Sequence, residues 1–420
     1  MGVNSNQYLQ GINQTTGTGA PVHSAVAGDR YTDTATGITY QYTTSWQTVS
    51  YSAGGLTYFT EAQNTTAPNA TVPVDSLTAV SATTNADMAL LPKGTGAFIV
   101  GHIPDNSPTN GGIKRGNYAV DIQPGPFNYN GGASGLASVA IGYQNQVTGN
   151  YGTSIGTGGI ASGVGSLWLG GNLGGVGVAS GDNSVAIQGQ SRATNSYSFA
   201  IQNGNATGVN AFAGNFSTAS GTNSMAMAGA QYGVAIASGT NSVAIGELSK
   251  ATGNRSMAIL TNADTFSHVS RLSYGSQITT GAGSPVSNVQ GTVQGSTLSV
   301  GIDTSNNTPY TLGNYGGTAI PLILQNNNSI RFKGTIIARQ SGSTNTSAWD
   351  IDGFIQRGTT AATTTLLISN INVVQNTPSW TTPALTANTV TGGLDIKVTG
   401  VVATSIRWTC ILTTAEVIYA

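Results

Sequence analysis

The sequence predicts an all-β, elongated fibre with a solenoid at its centre, and three observations carry that expectation. Between residues 133 and 264 a short pattern returns nine times: a small residue, Ser or Thr, then Gly or Asn, followed by a short apolar strand. Only 7% of the 420 residues are charged, against roughly 25% in ordinary globular chains, so solubility must come from Ser, Thr, Asn and Gln. The chain holds 58 glycines and little that reads as helix. Repeats this short and regular build stacked rungs, not a closed globular domain.

In chain order, residues 1–16 are polar and rich in Gln and Asn, which predicts an extended tail. Residues 17–52 hold Gly28-Asp29-Arg30-Tyr31 and then Ile38, Tyr40 and Tyr42 alternating with Thr39 and Gln41, with Trp46 following. That alternation predicts a hairpin closing a small aromatic core around a turn at Thr36-Gly37. Residues 53–130 form a β-rich lead-in. Within it Met88–Leu91 and Ala97–Val100 flank Pro92-Lys93-Gly94-Thr95-Gly96, which reads as a second hairpin.

Residues 131–264 are the repeats. Copies begin at Ala133, Val147, Ala161, Ala179, Ala193, Ala206, Ala219, Ala237 and Ala251, in steps of 14, 14, 18, 14, 13, 13, 18 and 14. The clearest reads Ala237-Ser238-Gly239-Thr240-Asn241-Ser242-Val243-Ala244-Ile245-Gly246. The Gly after Ser or Thr and the Gly after Ile are both expected to make turns at positive φ. Between them Val243 and Ile245 share one strand face and Ala244 the other. Ile141, Ile155, Leu169, Ile187, Ile201, Met227, Ile245 and Ile259 are expected to fill the rung interiors, leaving the Ala face for close approach between chains. The two long steps predict loops at Gly174-Gly175-Val176 and Gln231-Tyr232-Gly233. A lone coil this narrow buries little apolar surface for the backbone it orders, which favours several chains packed side by side and, as the expectation, a trimer.

Residues 265–328 read as a Ser/Thr/Gly/Asn connector. Residues 329–420 change to longer strands, around Arg331–Ala338, Ala348–Ile355, Thr365–Ile368, Gly393–Thr399 and Ser405–Leu412, which predict a β-sandwich. This is the candidate receptor-binding tip.

The repeat resembles the head repeat of trimeric autotransporter adhesins (YadA-like), a resemblance covering about a third of the chain. It implies a left-handed parallel β-roll and a homotrimer. The Gly28–Trp46 stretch is similar to a small module of bacteriophage fibre proteins. Gly393-Leu394-Asp395-Ile396-Lys397-Val398-Thr399-Gly400 and Ile406-Arg407-Trp408-Thr409 are similar to a C-terminal domain of phage tail fibres. The chain is therefore expected to be a bacteriophage tail-fibre protein of the virion, with a virion structural protein as partner at its N-terminal end and a host-surface receptor, a glycan or an outer-surface protein, at the other. A head-attached or decoration fibre without receptor role is the alternative, as is a polysaccharide-depolymerising tailspike.

The remaining signals are read as structural. The start shows no secretory signal, and no apolar run reaches 18 residues, so no membrane insertion is expected. That absence also tells against a cellular adhesin. A net charge of −1 gives no basic surface for nucleic acid. Cys410 is alone. Gly152-Thr153-Ser154-Ile155-Gly156 matches a nucleophile elbow but falls in register with the repeat. Asp350 and Asp352 share a strand face as glycosidase carboxylates might, with Trp349 and Ile351 filling the opposite one. His23, His102 and His268 have no metal-ligand spacing. Tyr143, Tyr151, Trp168, Tyr197 and Tyr232 are candidates for stacking on sugars. No catalytic residue, metal or cofactor is expected.

Overall fold

The computed structural model describes residues 7–9, 12–36, 38–49, 59–66, 71, 74–80, 85–107, 112–123, 131–171, 176–228, 233–275, 293–313 and 322–419. Gly37 and both inserted loops, with Gly174, Gly175, Gln231 and Tyr232, lie outside them, as does much of the connector. The chain divides into two compact units, 1–91 and 92–420. Among the described residues it is β throughout, save one short 3-10 turn at Ala361–Thr363.

The first unit holds a five-stranded sheet. Residues expected as a tail supply two of its strands: Gln7–Leu9 pairs with Ile12–Gly17, which runs parallel to Arg30–Asp33. Thr39–Tyr42 and Trp46–Thr48 complete it. The expected aromatic core is there, with the Trp46 ring 5.2 Å from His23, 5.4 Å from Tyr42 and 6.2 Å from Tyr31. Asp33 fixes the turn by accepting hydrogen bonds from the Gly19 and Ala35 amides and the Thr36 hydroxyl. A separate ribbon pairs Phe59–Asn64 with Val74–Ala79.

In the second unit the repeats stack as a β-solenoid with two parallel faces. One face carries nine strands of two or three residues, from Gly132–Ala133 to Lys250–Ala251. The other runs from Val139–Tyr143 to Met257–Ile259. The stack begins earlier than the repeats do. Phe98–Gly101 pairs in parallel with Val120–Gln123, and that strand with Val139–Tyr143. The expected hairpin with Met88–Leu91 is not formed: residues 88–91 carry no strand, because the apolar segment stacks on a rung some twenty residues ahead.

The eight expected core residues face the other way. Ala133, Ala161, Ala179, Ala193, Ala206, Ala219, Ala237 and Ala251 from one face, and Ala140, Ala186, Ala200, Ala226, Ala244 and Ala258 from the other, are wholly buried between the sheets. Ile141, Ile155, Leu169, Ile187, Ile201, Met227, Ile245 and Ile259 lie on the outward side, half-buried or exposed. The two sheets approach too closely for a branched side chain at every rung, so the Ala column is the interior. Val147 and Trp168 are the large residues admitted to it, and Trp168 measures the space. It is fully buried in an Ala position, and a Cβ on Gly159 or Gly177 would lie about 2 Å from its indole (2.1 and 1.8 Å).

The turn chemistry also differs from expectation at one position. The Gly after Ser or Thr is not at positive φ. A Cβ there would meet the carbonyl oxygen of the next rung: 2.1 Å from Gly221 to Gly239, 2.0 Å from Gly149 to Gly163. Positive φ falls two residues later in every copy, at Ala137, Tyr151, Gly165, Asn183, Tyr197, Asn210, Asn223, Asn241 and Arg255. The Gly after Ile behaves as expected, with φ near 120° at Gly142, Gly156 and Gly246.

The solenoid passes without a break into the C-terminal part. Arg271–Gly275 pairs in parallel with the last rung and antiparallel with Val293–Thr304. From there the sheet continues through Ile406–Ile418, Asn328–Gln340, Thr346–Arg357 and Thr365–Asn376. A four-stranded sheet around Gly393–Thr399 packs on it. Phe332, Ile336, Trp349, Trp408, Leu394, Ile396 and Val398 form the shared core, with Trp349 and Trp408 stacked at 5.6 Å. This is the expected sandwich, with Val293–Thr304 and Pro309–Thr311, from the connector, as two of its strands.

Candidate functional site

Three surfaces of the second unit are built by the fold. The first is the outward side of the solenoid's longer face. Strand alternation sends every residue not needed inside to this side, where parallel register stacks like on like. One column reads Val139, Thr153, Leu167, Val185, Phe199, Phe212, Met225, Val243, Met257. Its neighbour holds the eight apolar residues just named. Phe199 and Phe212 stack at 5.4 Å. No charged residue interrupts either column.

The second surface is the turn edge, where one residue per rung stands at positive φ. In three successive later rungs, before Arg255 in the last, it is Asn, and the side chains form a ladder: Asn210 Nδ2 donates to Asn223 Oδ1 at 2.9 Å, and Asn223 Nδ2 to Asn241 Oδ1 at 3.1 Å. In earlier rungs the place is taken by Tyr151 and Tyr197, and one rung before the first repeat by Tyr118. These rings are 60%, 63% and 58% exposed. Of the other candidate stacking residues, Tyr143 is half-buried, Trp168 is interior, and Tyr232 lies outside the described residues. Tyr118 was not among the candidates, and its equivalence to Tyr151 shows only in the ladder.

The third surface is the outer face of the C-terminal sheet. Asp350 and Asp352 do share it. Arg331 donates to Asp352 at 2.6 Å and Thr335 to Asp350 at 2.9 Å. The hydrogen bond from Arg331 holds the Asp352 carboxyl below its ordinary value. At the strand ends Arg407 grips Asp303 through two bonds of 2.8 and 2.7 Å. A cleft of about 860 Å³ opens there, lined by hydroxyls such as Ser341 and Thr344.

The other chemical candidates are absorbed by structure. Ser154 is buried, and its hydroxyl donates to Asn145 Oδ1 at 3.0 Å. His23 belongs to the aromatic cluster. His268 is buried with Nε2 donating to the Ile323 carbonyl at 3.0 Å. Among the described residues no group of three or more His, Cys, Asp or Glu is gathered as metal ligands. Burial pushes the Cys410 thiol up to about 12, which keeps it protonated. Two buried ion pairs, invisible to the sequence reading, close the ends of the solenoid. Arg115 meets Asp121 beneath the first repeat, and Arg271 meets Glu416 past the last.

Comparison with known proteins gives a likeness to a repeat family and a likeness among solved structures. The YadA head domain repeat matches residues 133–158, 179–201 and 237–259. Among solved structures, the Acinetobacter phage vB_ApiP_P1 tailspike protein aligns over 66% of this chain at 9% identity, with a TM-score of 0.15. The chain spans about half of that protein, 51%. No curated protein matches.

Proposed function

We propose that YadA-like rungs make this chain one subunit of a homotrimeric bacteriophage fibre, which holds a virus particle to its host surface and does no covalent chemistry. The observation that carries the reading is the uncharged apolar face running the length of the solenoid. A half-exposed Val, Leu or Ile leaves about 1 kcal/mol of burial unrealised, and nine rungs offer two such columns. Few monomers expose a contiguous apolar strip of this length. The adhesin-type repeat supports adhesion, and the likeness of the Gly28–Trp46 and Gly393–Gly400 stretches to phage fibre modules supports the virion setting. The N-terminal unit then meets a virion structural protein, and the C-terminal sandwich faces the receptor.

An enzymatic tailspike fits less well. A glycosidase needs two carboxyls free to meet substrate, whereas Asp352 accepts from Arg331 and Asp350 from Thr335 within the sheet itself.

The test is association. By sedimentation at micromolar concentration the intact chain should be a trimer. Ile187→Asp with Ile245→Asp should leave the chain folded but monomeric, while Ala244→Asp should abolish folding, since a charge in the interior costs several kcal/mol. A monomeric wild-type chain, or a double variant that stays trimeric, overturns the reading.

A further inference from the structure

The turn edge sets up its own internal comparison. Ten successive rungs place one residue at the same left-handed backbone position; Gly165, Asn183, Asn210, Asn223 and Asn241 show what that position asks for, and Ala137 and Arg255 depart from it alongside three tyrosines. Asn tolerates positive φ and links one rung to the next. A bulky aromatic residue there is an outlier. Tyr118, Tyr151 and Tyr197 nonetheless occupy it, at φ of 58°, 59° and 58°. Each stands more than half exposed, and no hydrogen-bond or ring partner meets its side chain among the described residues. Residues that break a local rule without a folding gain mark functional positions.

Their geometry is that of a set of platforms. The backbone ladder keeps them in one column, Tyr151 N–H donating to the Leu136 carbonyl at 2.8 Å and Tyr197 N–H to Asp182 at 2.9 Å. Tyr118 and Tyr151 are two rungs apart, and Tyr151 and Tyr197 three, or about 10 and 14 Å. The residue before each tyrosine is polar, Asn117, Asn150 or Ser196, with Asn150 Oδ1 already accepting from the Leu136 amide.

The geometry points to a binding edge for an extended, neutral, β-linked polysaccharide, stacked on these three tyrosines and lying along the solenoid. Each pyranose of such a chain advances it by about the spacing of one rung, so platforms two and three rungs apart meet separate sugar faces. The aromatic face meets the apolar face of the ring, and the flanking amides and hydroxyl meet its hydroxyls. Nucleic acid also stacks on aromatics, but it calls for a basic groove, and among the described residues of this column Arg255, four rungs past Tyr197, is the one cation. The site lies outside the C-terminal sandwich, so its occupancy is separable from host adsorption by that domain.

The experiment uses the full chain with chitohexaose and cellohexaose, read by saturation-transfer NMR and calorimetry. The wild-type protein should transfer saturation to sugar-ring protons. Tyr151→Asn should weaken binding about tenfold, and the triple variant with Tyr118→Asn and Tyr197→Asn should abolish it. Because Asn suits the position, sedimentation and thermal midpoint should be unchanged or the midpoint raised. The proposal falls if wild type binds neither hexasaccharide, if the triple variant binds as wild type does, or if twenty-residue oligo(dT) binds in their place. It falls equally if the triple variant loses assembly, which would make the rings an inter-chain contact.

Discussion

At the scale of the residue, the solenoid is governed by how closely backbones approach. Placing a tyrosine in the left-handed region costs roughly 1–2 kcal/mol, but putting any side chain on the stacked glycines meets a carbonyl oxygen outright. Gly221→Ala should therefore destabilise the chain by about 1–3 kcal/mol through overpacking, while Ala137→Gly, at a positive-φ position outside the Asn ladder, should change it little or stabilise it. Paired thermal unfolding curves check this, and equal midpoints would show that the rungs can spread. The sequence made the two turns of each rung visible, because Gly and Asn stand where a chain must reverse. It did not say which alternate residue is interior. Alternation separates Ile245 from Ala244 onto two faces, but only the distance between the two sheets makes the smaller residue the inner one.

At the scale of the element, the critical joint is the last rung's passage into the C-terminal sheet. Arg271 and Glu416, 145 residues apart, pair there with Gln294, Ser296 and Thr414 around them. No local signal announces such a pair, since each member reads alone as an ordinary charged residue of a strand. Phe98–Gly101 was misread for a related reason, its partner lying ahead in the chain and parallel. Burial drives the nearby His268 imidazole from its ordinary 6.5 down to about 4, and the Arg271 charge adds to the effect. Burial acts to raise the Glu416 carboxyl, but the Arg271 charge and donors from Thr414 and Gln294 hold it below its ordinary 4.5. Burial raises Asp264, which works in the opposite sense. An unfolded chain protonates His268 near pH 6.5 while the folded chain does so only near 4. Stability should thus be full above pH 6.5 and decline toward pH 4, by up to about 1.4 kcal/mol per pH unit, with Glu416 adding a loss below 4.5. In His268→Gln the decline between 6.5 and 4 should flatten; an unchanged slope would assign it elsewhere.

At the scale of the whole molecule, two compact units divide the labour between Leu91 and Pro92. The first buries only a small aromatic cluster, and the second carries the apolar columns and the sandwich core. A fragment of residues 92–420 should compete with intact particles for adsorption to the host, and one of residues 1–91 should not. Competition by the shorter fragment alone would reverse the assignment of ends. The sandwich was legible from its long alternating strands. Of the strands drawn from the connector, Val293–Thr304 was not, because its Ser, Thr and Gly hide an alternation that burial makes plain.

The unbroken ladder from rung to sandwich makes reach a matter of copy number. Each rung hands the next the same two columns, and steps of 13, 14 and 18 residues are all accommodated at the turns. Excising residues 206–218 would join Asn205 to Ala219 with the ladder intact, shortening the stack by one strand spacing of about 4.8 Å. Gain or loss of whole rungs therefore lengthens or shortens the stack in fixed increments, while the surfaces at either end are left unchanged.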